Sequence, residues 1–472
     1  MSLFPNRTSR RSFLKGMAVT TGGIVLPNIL IAQSSTPASR KIGMACIGVG
    51  GKGFSDLEGA AKENEIVALC DVDEKNLEKA AAKFPGAKQY RDFRKMLDEV
   101  KEIEACTITT PDHAHYPAAM HAMALGKHIC VQKPLANTLW ELREMQLAAR
   151  KKGVITQMGN QGHTYDDNRV LKEWLAAGAI GKVKEVHVWT NRPIWPQGKS
   201  VAFKSAPVPE GLDWQQWLAA TPDHEYSPDI HPFKWRGFLE WGAGAFGDMG
   251  CHLIDPASNA LELGVPRFAT ATQVDELTDI AWPTGSIVKM EFPKVPGHGD
   301  IVMYWYEGKK PDGSQYMPEL PEVIDKDEAF REKNGKEGKM PIGGWFIQGT
   351  EGVIFNKYDQ AREMQIWPKE RREALMANPP PKTLPRSPKA GNPQEEWSAA
   401  IKSGKAFPFM SQFDYSVPLT ELTLVGGLAM RMGGQRIEWD PEKLQVVGMP
   451  DAAKFIKRQS YRKGWEYSSA KI

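Results

Sequence analysis

The sequence has few cysteines, no long apolar run and no large excess of charge of one sign. Its five cysteines show neither the CxxC nor the cysteine–histidine spacing of a metal site. No apolar run is long enough to predict a stable membrane span. A formal net charge of +3 on 472 residues does not indicate a nucleic-acid binder. The composition is that of a globular chain with room for two domains.

A glycine-rich turn between two predicted strands dominates the first third of the chain. The apolar run 42–47 ends at Gly48-Val49-Gly50-Gly51-Lys52-Gly53, and after an amphipathic segment a second run, 66–70, ends at Asp71. This order predicts strand, turn, helix and strand. In it Gly48 allows the turn, Gly50 lets a diphosphate approach the backbone, and Gly53 lets the helix pack closely.

Asp71 strengthens this interpretation, because a glycine pattern by itself also occurs in ordinary loops. A carboxylate at the tip of the second strand is placed to bind the hydroxyls of an adenosine ribose. The same carboxylate would repel a 2′-phosphate, which favours NAD over NADP. Lys75 lies near enough in the chain to keep NADP as an alternative.

Strands and helices continue to alternate to about residue 160, and the strands are almost wholly apolar. This pattern predicts a doubly wound parallel sheet covered on both faces, a Rossmann domain over residues 40–160. The predicted helices are 74–84, 93–100, 116–125 and 139–151, and the later strands are 105–109, 128–132 and 154–158.

Residues 161–450 have a different pattern, which predicts an α+β domain with a large, mostly antiparallel sheet. One face of such a sheet is open to substrate or to a second subunit. Residues 307–343 and 368–394 are predicted loops, and 451–472 a C-terminal tail. The predicted helices are 169–177, 395–403 and 418–432, and the predicted strands are 183–190, 268–274, 286–292, 300–306 and 345–349.

Polar residues follow two predicted strands of the first domain, where ligands of doubly wound sheets bind. They are Thr110-Pro111 with His115, and Gln132-Lys133-Pro134. A lysine at a strand end is ordinarily solvated. The apolar strand before Lys133 and the proline after it instead predict a lysine fixed at the inner rim, where it can hold a substrate hydroxyl.

A second polar pair, Asp248 and His252, follows a glycine-rich segment of the second domain. If a helix begins near Gly247, the two side chains share one face. A histidine near neutral pKa suits removal of a hydroxyl proton, and a helix N-terminus would lower its pKa further. The alternative is an N-capping aspartate and a core histidine.

Together these motifs resemble the Gfo/Idh/MocA family, which includes glucose-fructose oxidoreductase and inositol dehydrogenase. The likeness runs from residue 40 to about 440. It implies that Lys133 and His252 are the catalytic pair and that Asp248 contacts substrate. It further implies that the nicotinamide lies between the domains, with Thr110, Pro111, His115, Gln132 and Lys133 at the coenzyme, and that subunits associate through the open sheet. The family's usual Glu-Lys-Pro is Gln132-Lys133-Pro134 here, which removes a negative charge beside the lysine.

Two further residues are candidate substrate contacts. His163 follows a predicted strand, and Trp195 lies in a rigid Pro-Ile-Trp-Pro loop where its ring can stack on a sugar. Metal binding is not predicted, because the Asp-His-Ala-His run at 112–115 has no second ligand cluster.

The first 32 residues contain four cations and no acid. Arg10-Arg11, followed by Ser-Phe-Leu-Lys and a mildly apolar run, is typical of a twin-arginine export signal, with a disordered basic tail as the alternative. We therefore expect a periplasmic protein, exported already folded with its NAD.

No NAD pool is expected in that compartment, so the coenzyme would be tightly held and reoxidised within each cycle. The leading hypothesis is an NAD-dependent oxidoreductase acting on a sugar or polyol. The alternatives are an NAD-dependent glycoside hydrolase that works through a transient 3-keto sugar, and a non-catalytic sugar-binding protein.

Overall fold

The computed structural model describes residues 40–199, 203–327, 330 and 341–472. The predicted export signal at residues 1–32 lies outside the described residues. Among the described helices, none combines the length and the apolar character needed to cross a bilayer. All five cysteines are buried and free, as expected of small apolar side chains.

The first domain is built on a six-stranded sheet whose strands are all parallel, in the order β3-β2-β1-β4-β5-β6. This confirms the predicted doubly wound fold. Its strands are β1 (Gly43–Ile47), β2 (Glu65–Cys70), β3 (Lys88–Tyr90), β4 (Ala105–Ile108), β5 (His128–Val131) and β6 (Thr156–Met158).

The helices between these strands begin and end at the residues that normally mark helix boundaries. Asp73 caps α2, Thr138 caps α5, and Gly153 ends α5 in the left-handed conformation. Helix α4 begins four residues earlier than predicted, directly after Pro111. The bounds are α1 (Lys52–Ala61), α2 (Glu74–Lys83), α3 (Phe93–Glu99), α4 (Asp112–Ala124) and α5 (Leu139–Lys152).

The second domain is built on a nine-stranded sheet in the order β13-β12-β11-β7-β10-β9-β8-β14-β15. Only β7 and β10 pair in parallel among its described strands, so the sheet is mostly antiparallel, as predicted. Its strands are β7 (Val183–Thr190), β8 (Phe268–Asp275), β9 (Gly285–Val295), β10 (Gly299–Gly308), β11 (Gly344–Gly349), β12 (Val353–Asn356), β13 (Gln365–Trp367), β14 (Ile437–Asp440) and β15 (Gln445–Val446).

Helices α8 and α13 cover the inner face of this sheet, where Phe246 stacks on Trp305 with ring centroids 4.6 Å apart. The predicted loop at 368–394 is partly helical, since α11 occupies residues 369–377 with no buried residue. This helix was not predicted because the segment is so polar that its amphipathic pattern is weak. The helices are α6 (Asp166–Ala176), α7 (Trp214–Leu218), α8 (Gly244–Leu253), α9 (Asp255–Leu261), α10 (Glu322–Asp325), α11 (Lys369–Ala377), α12 (Pro393–Ser403), α13 (Phe413–Arg431) and α14 (Ala453–Ile456).

Two later segments return to the first domain. Helix α12 places Trp397 and Ala400 in the same buried cluster as Met44 of β1. The predicted tail also packs against this domain, because Trp465 is buried and the hydroxyl of Tyr116 donates to the carbonyl of Tyr467 at 2.7 Å. The Rossmann core is therefore completed by residues far along the chain.

Candidate active site

The glycine turn after β1 forms a cradle that larger residues could not form. Gly48 has a φ of 78°, and a Cβ there would lie 2.4 Å from the carbonyl oxygen of Thr109. A Cβ on Gly53 would lie 2.0 Å from the carbonyl oxygen of Gly48. Helix α1 begins beyond Gly51 with no capping side chain and no acid in its first turn. Its free N–H groups therefore suit an anionic diphosphate.

Asp71 lies directly after β2, beside this cradle. Its carboxylate accepts the backbone N–H groups of Val49 at 2.8 Å and Asp73 at 2.9 Å. Burial raises the pKa of Asp71, which these hydrogen bonds oppose. The N–H of Val49 is thus bonded to Asp71 and is not free for a ligand. The side chain of Asp71 borders a cavity, where it can accept hydrogen bonds from ribose hydroxyls.

This cavity has a volume of about 850 Å³ and runs along the carboxyl ends of the parallel strands. That volume is in the range of a site for a large cofactor. Many of the residues predicted from the sequence line it together: Gly48, Gly50, Gly51, Lys52, Gly53, Asp71, Thr110, Pro111, Gln132, Lys133 and His252. The residues present therefore fit a dinucleotide with a second ligand beyond it.

Lys133 and Asp248 meet across the two domains at one end of the cavity. The Lys133 ammonium donates to the Asp248 carboxylate at 2.6 Å and to the Asp248 carbonyl at 3.0 Å. The Nε of Arg236 lies 3.0 Å from the same carboxylate. Burial opposes ionisation of Asp248, but Arg236 and Lys133 together hold its pKa well below the usual value. Asp248 therefore stays ionised and fixes both cations.

Asp112, in the first turn of α4, extends this array. Its carboxylate accepts the N–H of Ala243 at 3.1 Å and lies 3.7 Å from Arg236. Burial raises the pKa of Asp112 to about 6, against the charge of Arg236. Asp112, Arg236, Asp248 and Lys133 thus form a row of alternating charge that joins the two domains beneath the cavity.

His252 lies one helical turn after Asp248 and borders the cavity. Burial first, and then the charge of Lys133, lower the pKa of His252 to about 3, so its imidazole is neutral at pH 7. Its Nδ1 is buried and has no hydrogen-bond partner among the described residues. The expected cause of the lower pKa was wrong, because His252 lies in the last turn of α8 and not at a helix N-terminus.

His115 was expected at the coenzyme, but it lies behind the cavity wall. It is 1% exposed, and its Nδ1 and Nε2 lie 2.8 Å from the carbonyl oxygens of Pro134 and Thr110. Burial lowers its pKa to about 4. The neutral ring can donate from only one of its nitrogens, so His115 packs between these two carbonyl groups behind the cavity wall.

The two expected substrate contacts, His163 and Trp195, also lie away from the cavity. His163 is buried, with Nδ1 2.9 Å from a carboxylate oxygen of Asp255 in α9. The indole of Trp195 is 6% exposed and donates to Gln197. Both polar tips are satisfied inside the protein, so neither ring is presented to a ligand.

Other aromatic side chains line the cavity instead, namely Phe93, Trp217, Phe233 and Trp235. The guanidinium of Arg236 lies over the ring of Trp235, 4.2 Å from its centroid. The sequence analysis missed Arg236, which follows Trp235 directly in the chain. No local signal distinguishes it, because residues 231–241 also contain Lys234 and Glu240 and its partner Asp248 lies beyond this segment.

Residues 211–217, which we name the strap, close the cavity at its Asp71 end. The strap is attached by backbone hydrogen bonds from Asp213 to the carbonyl of Val72 at 2.9 Å and from Glu74 to the carbonyl of Gly211 at 3.0 Å. Arg91 donates to the carbonyls of Val72 at 2.8 Å and Gly211 at 2.7 Å. These bonds place Arg91 against the strap and leave the ribose end enclosed.

Comparison with known proteins agrees with this architecture. Residues 41–160 match the NAD-binding Rossmann fold of the Gfo/Idh/MocA oxidoreductase family, and residues 171–264 match the C-terminal alpha/beta domain of that family. The levoglucosan dehydrogenase of Pseudarthrobacter phenanthrenivorans is 26% identical over 61% of this chain and 63% of its own length, slightly under two thirds.

A second relative, the NADP(+)-dependent scyllo-inositol 2-dehydrogenase of Bacillus subtilis, is 21% identical over 65% of this chain and 85% of its own. The WlbA dehydrogenase of Bordetella pertussis, solved with NADH and UDP-GlcNAcA, has a TM-score of 0.58 at 16% identity, over 85% of this chain and 98% of its own. Consecutive parts of the chain are thus similar to the two domains of the Gfo/Idh/MocA oxidoreductase family, and its first domain is an NAD-binding Rossmann domain.

Proposed function

We propose that the protein oxidises a hydroxyl of a sugar, polyol or glycoside with a tightly bound NAD. The observation that carries this proposal is the meeting of Lys133, Asp248 and His252 at the end of the cavity that begins at the glycine cradle. Bound NAD would supply a hydride acceptor there. Carbohydrate substrates are supported by the relative named as a levoglucosan dehydrogenase.

The side chains at this end of the cavity have different roles toward the substrate hydroxyl group. Asp248 keeps the Lys133 ammonium in place, so that the ammonium can donate to the substrate oxygen and stabilise negative charge on it. His252 is neutral at pH 7, so a ring nitrogen can accept the hydroxyl proton, although burial and Lys133 lower its pKa to about 3 and make it a weaker base than the near-neutral histidine expected from the sequence. Trp235 offers an apolar face on which the C–H groups of a sugar ring can pack.

Retention of the coenzyme is supported by the strap. Gln216 and Trp217 of the strap line the cavity, and its backbone bonds with Val72 and Glu74 hold the strap beside Asp71, where it would hinder exchange of a dinucleotide. Tight binding would suit export by the twin-arginine route, which the Arg10-Arg11 motif supports. In the periplasm the reduced coenzyme would then have to be reoxidised by the same substrate or by its product.

Glycoside hydrolysis is the alternative outcome of the same chemistry. Oxidation at C3 of a sugar ring acidifies the C2 proton, and elimination then releases the aglycone without the usual pair of catalytic carboxylates. Among the cavity-lining residues the carboxylates Asp71 and Asp73 lie at the ribose end, away from Lys133 and His252. Hydrolysis would therefore have to use the oxidation route.

Association into homo-oligomers through the nine-stranded sheet is a further part of the proposal. Along β9 and β10, side chains facing α8 and α13 are buried, whereas the alternate residues Lys289 and Tyr304 are partly exposed. That alternation supports an outer face available to a second subunit.

Two measurements test the proposal. Protein purified without added nucleotide is denatured, and released NAD is identified by chromatography; the proposal predicts about one equivalent per chain. Nitrophenyl glycosides and free sugars are then offered without added coenzyme. Aglycone release indicates hydrolysis, and an oxidised sugar paired with a reduced one indicates transhydrogenation. Lys133→Met, which keeps the cavity but removes the ammonium, should abolish either product. Unchanged turnover in this variant would contradict the mechanism, and the absence of any product from the wild type would favour a binding role.

A further inference from the structure

Asp56 is a buried carboxylate beneath the coenzyme cavity that the proposed mechanism does not use. It lies in the second turn of α1 and is 2% exposed. One carboxylate oxygen lies 2.5 Å from the ammonium of Lys52. The other accepts from the hydroxyl of Thr109 at 2.9 Å and from the side-chain amide of Gln132 at 2.7 Å.

These three partners come from three separate elements that border the cavity. Lys52 begins helix α1 after the glycine cradle, Thr109 follows β4, and Gln132 follows β5 directly before Lys133. A buried carboxylate that receives three donors is well satisfied and holds those donors in fixed positions. Asp56 therefore connects the cradle to the strand end that supplies the lysine.

The contact with Asp56 also decides which way the Gln132 amide points. An ionised carboxylate only accepts hydrogen bonds, so the NH₂ group of Gln132 must face Asp56. The amide oxygen is then directed to the other side, 3.4 Å from the backbone N–H of Lys133. A Cβ on Gly159 would lie 2.4 Å from the Gln132 amide, so this side chain is closely packed.

We infer that Asp56 is a positioning residue for the coenzyme, acting through Gln132 and Lys52. The buried carboxylate in this part of the site is that of Asp56 on α1, and the amide is that of Gln132, directly after β5. In this arrangement Gln132 presents an acceptor oxygen to the cavity beside Lys133. The carboxylate of Asp56 thus places a buried acceptor group against both Lys52 and Gln132. The inference rests on the proposed function, in that the bound group is a nicotinamide dinucleotide.

Reciprocal substitution tests the pair. Gln132→Glu would place two carboxylates in hydrogen-bond contact with each other, which is unfavourable in a buried site. Asp56→Asn would leave two amides and remove the charge opposite Lys52. The double variant D56N/Q132E restores one amide and one carboxylate with their places exchanged, and only a direct pairing predicts that it recovers.

The measurement is the dissociation constant for NAD, determined by calorimetry on nucleotide-stripped protein, together with the unfolding midpoint without nucleotide. Each single variant is expected to bind NAD at least about tenfold more weakly than wild type. The double variant is expected to recover to within about threefold of wild type. The control is Glu307→Gln, which alters a buried carboxylate of the nine-stranded sheet bonded to Ser286 and Trp305 and should leave NAD binding unchanged.

Single variants that bind NAD like wild type would overturn the inference. A double variant would also overturn it if its loss of NAD affinity equalled the losses of the two single variants combined, or if it failed to fold. A single variant that unfolds while the double variant folds and binds NAD would support it. Failure of the proposed function looks different, because wild type would then bind NAD and turn over no carbohydrate, with the reciprocal rescue intact.

Discussion

Replacing Asp112 by asparagine should change how the stability of the protein depends on pH. Asp112 is 1% exposed, and burial raises its pKa from 3.8 to about 6 against the opposing charge of Arg236. Since a tenfold change in proton affinity corresponds to about 1.4 kcal/mol, an ionised Asp112 costs the folded state ~3 kcal/mol. Asparagine keeps an oxygen for the N–H of Ala243 and carries no charge.

The sign follows from the direction of the pKa. Because the folded-state pKa lies above the unfolded value, the folded protein binds more protons than the unfolded chain between about pH 4 and pH 6. The stabilising contribution of protonated Asp112 is thus complete below about pH 4 and is lost as the pH rises through 6. Asp112→Asn lacks this loss, so its free energy of unfolding relative to wild type should rise by ~3 kcal/mol from pH 4 to pH 8.

Urea unfolding followed by tryptophan fluorescence at several pH values measures this difference. Comparing variant with wild type cancels the titration of all other groups. Glu370→Gln, on helix α11 with no buried residue, controls for the loss of one negative charge and should show no such trend. A constant difference between Asp112→Asn and wild type from pH 4 to pH 8 would refute the reasoning, as would a difference of opposite sign.

Two further predictions concern the end of the cavity next to Lys133. His252→Gln should lower kcat at least about 100-fold while NAD binding, measured by calorimetry, changes little, because the proton acceptor is lost; a kcat near that of wild type would exclude His252 as the base. Trp235→Leu should raise KM for the carbohydrate more than it lowers kcat in steady-state assays. Trp195→Leu, which changes a ring buried behind Arg236, should not raise KM selectively. Equal effects of the two substitutions on KM would contradict the assignment of Trp235 as the residue that faces the sugar.

The architecture of the first domain could be predicted because its local signals agree with one another. Gly48 and Gly53 occupy positions where a side chain would collide with backbone, and Asp71 directly follows β2, as predicted from the strand–turn–helix pattern. Strand β7 begins and ends at the predicted residues 183 and 190. Such features depend on residues near each other in the chain.

Features that depend on distant residues could not be predicted in this way. Helix α12 packs into the Rossmann core, and the strap is bonded to Val72, so in both cases the contacting residues lie far apart in the chain. A hydrophobic periodicity relates only residues that are close in the chain. The burial of His115 and His163 likewise depends on carbonyl and carboxylate partners from other elements. Chemistry-bearing residue types at strand ends indicate the neighbourhood of a site, but not which side chains face its cavity.

Asp56 and Arg236 show the same limit within the site itself. Asp56 lies in the helix predicted after the glycine turn, whereas Arg236 lies in residues 231–241, to which the sequence analysis assigned no role. Their importance arises from partners on other elements, Gln132 for Asp56 and Asp248 for Arg236. An acid in a first helix or a cation beside tryptophan has no distinct signature before those partners are known.

Titration of NAD into nucleotide-stripped protein, with Gly50→Ala beside wild type, tests most directly whether residues 48–53 seat the dinucleotide. The three atoms nearest to a Cβ on Gly50 all belong to the end of the Asn76 side chain, the nearest at 2.4 Å, so the variant should fold with a shift of that side chain. The account predicts saturable heat of NAD binding to wild type and binding at least about tenfold weaker to the variant. The absence of heat with folded wild type, or equal affinity in both proteins, would contradict it.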